Sequence, residues 1–457
     1  MENYDTNNQR CYGYKSSGGT VRSVCSHTNV RRLKGTVLIF VYILAVCTIV
    51  QSVAAQASSK MQPLSLQECE QQFLKANLLL LAEQFAIEAA EARALQAALW
   101  DNPILSAELN AWNPEGKRVL DIGNEGQKVF AIQQLIYLGG KKEQEIVLAR
   151  ANSSLARLQF QDLLRTLRYQ LRTGYFILYY DRFALQTLTQ HLRQLDTLIA
   201  AYGEQAKKGN LPYKDLVRLQ ALYLTLQNSR TIFNTTVIEE QKRLQTLLAT
   251  TVDIIPIPRA EELQTYQRAL AISVDSLQIL ALRNRPDLAA MQTNIRSAEV
   301  NLALQEALAV PDIMLGATYD QRGGAFVHQV NLTLSITLPL WNRNQGNIAL
   351  AHAELARVRA LSTAQAIEVR NQVEWAYRKY QESFHNAQII GSVMEQDFAA
   401  VYEGMLYNFQ RRNVSLLEFT DFIESYTNSI IQMTEIRKKL AEACEELNLV
   451  TATPIFY

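Results

Sequence analysis

The chain has 457 residues, enough for two or three ordinary domains, and its 45 basic against 44 acidic side chains leave a formal net charge of +1. So even a balance carries no basic footprint and gives no reason to expect nucleic acid as a partner. Only Gly35 to Val50 is continuously apolar; beyond it nothing crosses a bilayer as a single helix, and any membrane insertion there must use strands.

Arg31, Arg32 and Lys34 precede that run, and Ser52, Val53, Ala54, Ala55, Gln56 and Ala57 follow it. A basic region, a short apolar region and a small-residue A-x-A site mark a secretory leader, so 1–57 reads as leader and the mature chain as starting near Ser58. Two other readings stay open. One is a membrane anchor, although a span needs ~20 apolar residues. The other is a lipidated start at Cys47 after Leu44, Ala45 and Val46, against which stand the valine before the cysteine and the apolar residues after it. Past the leader only Cys69 and Cys444 remain. They are either two inert thiols or a pair formed in an oxidising compartment, and their spacing builds no metal site.

In chain order, Ser65 to Trp100 carries Leu66, Phe73, Leu81, Phe85, Ala89, Ala92 and Leu99 at helical spacing, with a break near Asn77. Pro103 opens an alternating run, Leu105, Ala107, Leu109 and Ala111; a loop rich in Asn and Gly follows, and Val129 to Leu138 alternates again, interrupted at Gln134. Period-two alternation predicts strands with one apolar and one polar face. After Gly139 and Gly140 a helix of roughly 65 residues runs to about Lys208, on the order of 100 Å. Within it Leu164, Leu171, Leu178, Leu185, Leu192 and Ile199 form one heptad seam, and Leu167, Leu188, Leu195 and Tyr202 its partner, the pattern of a coiled coil. Gly209 to Pro212 make a sharp turn, with Pro212 suited to open the return helix, which runs from Tyr213 to Ala249 before a linker at Pro256 and Pro258.

The second half repeats this order at an offset of about 205 residues. Ser273 to Leu308 is helical, with Asn284 in the place of Asn77 and Pro311 in that of Pro103. Ile313, Leu315, Ala317 and Tyr319 alternate, Gly323 and Gly324 turn the chain, and Val330, Leu332, Leu334, Ile336 and Leu338 form the apolar side of a strand ended by Pro339. The second long helix has Val373, Tyr380, Ala387, Met394 and Val401 on one seam, with Tyr377, Phe384, Phe398 and Met405 on the other. It turns at Arg412 to Ser415 and returns as Leu416 to Leu447. Two structural repeats, 58–256 and 257–457, are expected.

Strands of a half-buried soluble sheet alternate in the same way, so that alternative stays open. In a membrane, four strands per chain cannot close a barrel, because the smallest use about eight and an open edge cannot face lipid. They would have to be pooled between copies.

The duplicated helix, strand pair, long helix and return helix behind a leader resemble the TolC family of outer-membrane efflux channels. Arg285 to Leu288, followed by Ala298, Glu299, Leu302, Ala303 and Pro311, resembles the family's second-repeat signature, and Leu338 to Ile348 is similar to the subgroup serving heavy-metal efflux pumps. The resemblance implies a mainly α fold with a small β part: a homotrimer forming a 12-stranded outer-membrane β-barrel and a periplasmic α-helical barrel. It also implies a periplasmic adaptor protein and an inner-membrane RND-type pump as partners, with metal cations or small toxic compounds as cargo. A type I secretion outlet for polypeptides is the alternative, and a soluble periplasmic coiled-coil adaptor a more distant one.

Such a channel is a passive conduit and not an enzyme, with no cofactor and no bound metal; His191, His328, His352 and His385 lie far apart in the sequence, and no catalytic constellation appears. In the family an acidic ring past the second turn closes the periplasmic entrance. Glu418 and Asp421 match those positions, one helical turn apart and hence on one face, and Arg218 is the first-repeat counterpart of Asp421, placed for an inter-helix salt bridge. Adaptor docking is expected at Gly209, Leu211 and Pro212 and at Asn413, Val414 and Ser415; bare sequence calls these tight turns.

Overall fold

A computed structural model describes residues 61–457 apart from 125 and 324, with the backbone alone at 391–399. The leader, its cleavage site near Ala57 and Cys47 lie outside the described residues, as do the side chains of Met394 and Phe398.

A short strand β1 (Met61–Leu64) leads into α1 (Leu66–Ala76) and α2 (Leu78–Ala98). Asn77 makes the break between these helices. Its Oδ1 accepts the N–H groups of Leu79 and Leu80, both at 3.0 Å, and its Nδ2 donates to the Leu247 carbonyl at 2.8 Å. One buried side chain thus caps a helix start and ties it to a distant helix end. Next come β2 (Ile104–Leu109), a small hairpin of β3 (Trp112–Asn113) and β4 (Arg118–Val119), and β5 (Gln127–Ile136). The 67-residue α3 (Lys141–Lys207) and α4 (Tyr213–Leu247) complete the first coiled coil.

β6 (Asp253–Pro256) then pairs in parallel with β1, and α5 (Ala260–Tyr266) follows. In sequence this stretch reads as a linker, because a four-residue strand is too short to declare a period. α6 (Val274–Asn284), α7 (Pro286–Ala307), β7 (Ile313–Arg322), β8 (Phe326–Ile336), α8 (Gln345–Gln410) and α9 (Leu416–Thr451) repeat the order of the first half. The break between α6 and α7 falls on Arg285, one residue past the expected Asn284, because Pro286 takes the first helical position and holds Arg285 extended.

The main sheet is antiparallel, in the order β2-β5-β7-β8. The helices beside it follow the same lateral order: α2 packs on α3, α3 on α7, and α7 on α8. Buried side chains form two clusters. The larger gathers Phe73, Leu171, Tyr175, Phe176, Tyr266, Val373, Tyr380 and Leu447 around mid-helix, and the smaller gathers Leu188, Leu195, Leu219, Leu226, Phe409, Phe419 and Ile423 toward the helical tip.

Candidate functional site

Register decides which side chains of the sheet share a face. Leu105, Ile132, Ala317 and Leu332 lie side by side, as do Ala107, Phe130, Tyr319 and Val330, and Ile136, Ile313 and Ile336. The opposite face carries Ser106, Thr318 and Asn331, then Glu108, Asp320 and Gln329, then Gln133 and Thr333. The pleat alone, with period-two sequence in all four strands, makes this separation. Gln134 intrudes on the apolar face, but its amide donates to the Asp101 and Leu135 carbonyls, both at 3.0 Å. Val330, Leu332, Leu334 and Ile336 stand in the open, from 45% exposed at Ile336 to 87% at Leu332.

Leu338 departs from the expectation. It is exposed but lies beyond β8, because Ile336 pairs with Ile313, the first residue of β7, and no ladder remains for it. Below the strands the chain turns sharply into each long helix. Gly140 (φ +75°) and Asn344 (φ +59°) occupy equivalent left-handed N-cap positions of α3 and α8. Asn344 tolerates that conformation better than most side chains, and its Nδ2 donates to the Gln305 carbonyl at 2.7 Å.

The two helical tips share one backbone design. Gly209 (φ +75°) and Arg412 (φ +62°) are left-handed; Asn210 N–H donates to the Gln205 carbonyl at 2.9 Å and Asn413 N–H to that of Asn408 at 3.0 Å. The side chains repeat the link, Asn210 to Gln205 at 2.8 Å and Asn413 to Asn408 at 3.3 Å. Pro212 is the N-cap of α4, not its first helical residue. Its extended ψ of 133° turns the chain before Tyr213 enters the helix. Leu211 and Val414 are half-buried, and Val414 packs on the tip cluster.

At the start of α9, Ser415 and Glu418 form a reciprocal cap: Ser415 N–H and Oγ donate to Glu418 Oε2 at 2.9 and 2.8 Å, and Glu418 N–H donates to Ser415 Oγ at 3.2 Å. These bonds hold the Glu418 carboxyl below its ordinary pKa range. Glu418 therefore serves its own helix, a use that the S-x-x-E spacing would have revealed. Asp421 is exposed one turn on, and Glu424, which the sequence reading passed over, is exposed beyond it. Arg218 is exposed on α4. Among the described residues no ion pair joins it to Glu418 or Asp421 within the chain. Arg411 stacks instead on the Tyr407 ring at 4.3 Å.

Above the tip, His191 of α3 is buried against Tyr402 of α8 (centroids 4.5 Å, stacked) and Tyr426 of α9 (5.5 Å). Tyr402 OH donates to Gln194 Oε1 on α3. Burial pushes the imidazole down to about 4, so it is neutral at pH 7. At mid-helix Arg172 reaches Glu445 at 2.7 Å, Glu70 at 2.9 Å and Tyr266 OH at 3.2 Å. Cys69 and Cys444 are buried and free, and burial raises both thiols, Cys69 to about 12, which makes them unreactive. Among the described residues no cluster of His, Cys, Asp or Glu is arranged to hold a metal, and no helix is long and apolar enough to cross a membrane.

Residues 277–390 match the family model described as outer membrane efflux protein. Among solved structures the chain is similar to the outer-membrane channel OprN, at 16% identity over 86% of this chain and 91% of that one, with a TM-score of 0.67. It is similar also to CusC, studied for conformational changes accompanying folding and transmembrane channel formation (15% identity, 84% and 91% coverage, TM-score 0.64). A third is the Campylobacter jejuni CmeC outer membrane channel (14% identity, 84% and 85% coverage, TM-score 0.66). At these identities the likeness is one of fold: the long-helix and strand architecture is that of the channel structures. No curated protein matches the chain in sequence.

Proposed function

We propose that this chain is one protomer of an outer-membrane channel of the TolC type, in which copies share a single barrel and pass solute outward without chemistry. The observation that carries the proposal is the common lateral order of sheet and helices. β2 and β8 are open edges, and the same chain ends laterally in α2 and α8, which keep exposed apolar side chains such as Leu78, Phe85 and Leu95 on α2 and Leu350, Ile367 and Trp375 on α8. Head-to-tail association closes both layers with one rotation: β8 pairs with β2 of the next copy while α8 covers its α2. Three copies then give twelve strands, above the minimum of about eight for a membrane barrel. Ten residues of β7, rising about 3.3 Å each and tilted about 40°, span about 25 Å, the height of an outer-membrane apolar band.

In this reading Val330, Leu332, Leu334 and Ile336 face lipid, the polar face lines the lumen, and the helices reach into the periplasm after cleavage of the leader. The halves 58–256 and 257–457 are repeats of one unit. Gly209 to Pro212 and Asn413 to Ser415 receive the adaptor protein of an inner-membrane RND-type pump. Asp421, with Glu418 and Glu424 on the same exposed stripe, forms an acidic constriction selective for cations, and Arg218 pairs across subunits. The likeness of Leu338 to Ile348 to the heavy-metal subgroup favours metal cations as cargo.

Protein extracted from outer membranes in mild detergent tests the reading. A heat-dissociable trimer that conducts in planar bilayers is expected; a soluble, non-conducting monomer would refute it.

A further inference from the structure

Beside the upper end of the sheet, the loop between β2 and β5 holds four large apolar side chains in the open: Trp112 at 54% exposure, Val119 at 76%, Leu120 at 54% and Ile122 at 40%. Trp112 and Val119 are directly paired in the β3–β4 hairpin. The loop is firmly built. Asn113 Oδ1 accepts the Glu115 and Gly116 N–H groups at 3.1 and 3.2 Å, and Asn113 Nδ2 donates to the buried Asp121 at 2.8 Å. Leu120 N–H returns to the Ala111 carbonyl at 2.9 Å, and Asp121 N–H to that of Asn110 at 3.0 Å. An apolar group fixed outward by this many bonds is presented, not left over.

What it is presented to follows from the face over which the loop folds. Gln321 of β7 pairs with Lys128 of β5 and so shares the face of Phe130 and Tyr319, the apolar one. Gln321 is fully buried there, and its amide donates to the Gly123 carbonyl at 3.0 Å. Tyr319 OH and His328 Nδ1, 2.6 Å apart, lie beside it. The loop thus reaches over the top of the apolar face, the one that faces lipid in the shared-barrel reading. Lys117 and Arg118 stand exposed at the hairpin, with Glu115 the only acid between Trp112 and Val119 and Asp121 4.0 Å from Arg118.

We propose that this hairpin is a lipid anchor. Trp112, Val119, Leu120 and Ile122 enter the boundary between headgroups and acyl chains of the outer leaflet, and Lys117 and Arg118 meet lipid phosphates. Trp and apolar side chains next to basic ones suit that zone, into which amphipathic segments sink ~5–10 Å. The inference rests on the shared-barrel reading and extends it to a part of the chain that spans nothing.

Two single-tryptophan proteins separate the two ideas. One combines Trp100→Phe, Trp341→Phe and Trp375→Phe and keeps Trp112; the other combines Trp100→Phe, Trp112→Phe and Trp375→Phe and keeps Trp341, which lies past the lower end of the sheet. Both are reconstituted in phospholipid vesicles with and without bromine-labelled acyl chains. About a twofold loss of Trp112 emission is expected for a side chain at that depth, with Trp341 also quenched. Quenching of Trp341 with none at Trp112 overturns the anchor and leaves the barrel standing; that pattern is what packing of the hairpins against each other over the outlet would give. Quenching of neither overturns both. If the substituted proteins fail to assemble, a fluorophore on Val119→Cys gives the same readout, because Cys69 and Cys444 are buried and escape labelling.

Discussion

His191 makes the tip cluster sensitive to acid in a way that can be calculated. It is neutral in the folded chain because burial depresses its pKa from 6.5 to about 4. Between those values the unfolded state binds the proton and the folded state does not, so stability falls as pH falls, and the loss is complete near pH 4. At pH 5 the loss is about 2 kcal/mol, which corresponds to about a 30-fold change in an opening equilibrium. His191→Phe keeps a flat ring between Tyr402 and Tyr426 and removes the titration. Amide hydrogen exchange of 184–195, 402–409 and 419–426, with both proteins compared at the same pH, cancels intrinsic exchange rates. The variant gives up the 3.4 Å contact of the ring with the buried Thr427 hydroxyl at every pH, so the readout is the change between pH 7.5 and pH 5, over which the native protein should lose about 30-fold in protection relative to the variant. An equal change in the two would refute the reasoning, since it would mean that the folded cluster accepts the proton.

Arg172→Met removes the counter-charge of Glu445, which is 1% exposed, and should cost about 3–5 kcal/mol in denaturant unfolding. Adding Glu445→Leu should recover much of that, and a double variant no better than the single would show that the pair is not the source of the loss. At the tip, Asp421→Ala should lower cation selectivity in planar bilayers more than Glu418→Ala does, because the Glu418 carboxylate is turned back onto Ser415. Unchanged reversal potentials when both are replaced would sink the acidic ring.

The long elements were legible because their signals add over many residues. Heptads at Leu167, Leu171, Leu178, Leu188, Leu192 and Leu195 all reach the buried core, and strict alternation placed β8 to within a few residues. Val401 failed for a physical reason: it is exposed, and Tyr402 is buried in its place. Buried Val373, Ala376, Tyr380, Ser383 and Ile390 keep the seven-residue step, and the seam resumes one residue late at Tyr402 and Phe409, because a straight helix drifts against a strict seven-residue count. A strict heptad counted forward therefore slips off the core. The β1–β6 ladder was hidden by brevity. Glu418 satisfies two patterns at once, an acid on an exposed stripe and the last member of a capping box, and only geometry shows which bonds it makes within the chain. The pairing of β5 with β7, which joins the two halves, left no mark in either strand, since an antiparallel partner is chosen by register and closure and not by residue type.

The stretch most suggestive of cargo illustrates the limit of motif reading. From Leu338 to Ile348 the side chains are committed to a corner. Leu340 N–H bonds back to the Leu338 carbonyl at 2.9 Å, Arg343 N–H donates to Gln345 Oε1 at 2.8 Å, and Asn344 holds the left-handed cap and reaches across to Gln305. Leu338, Leu340 and Trp341 point into the open, as an apolar belt at a membrane boundary would. Within this motif the bonds are to the chain itself, and none of its side chains offers a carboxylate or imidazole that would discriminate among cations. For the channel proposed above, such corners hold the geometry and selectivity lies elsewhere. The acid stripe at Asp421 and the half-buried Leu211 and Val414 at the tips are therefore where a change of cargo or partner should be written.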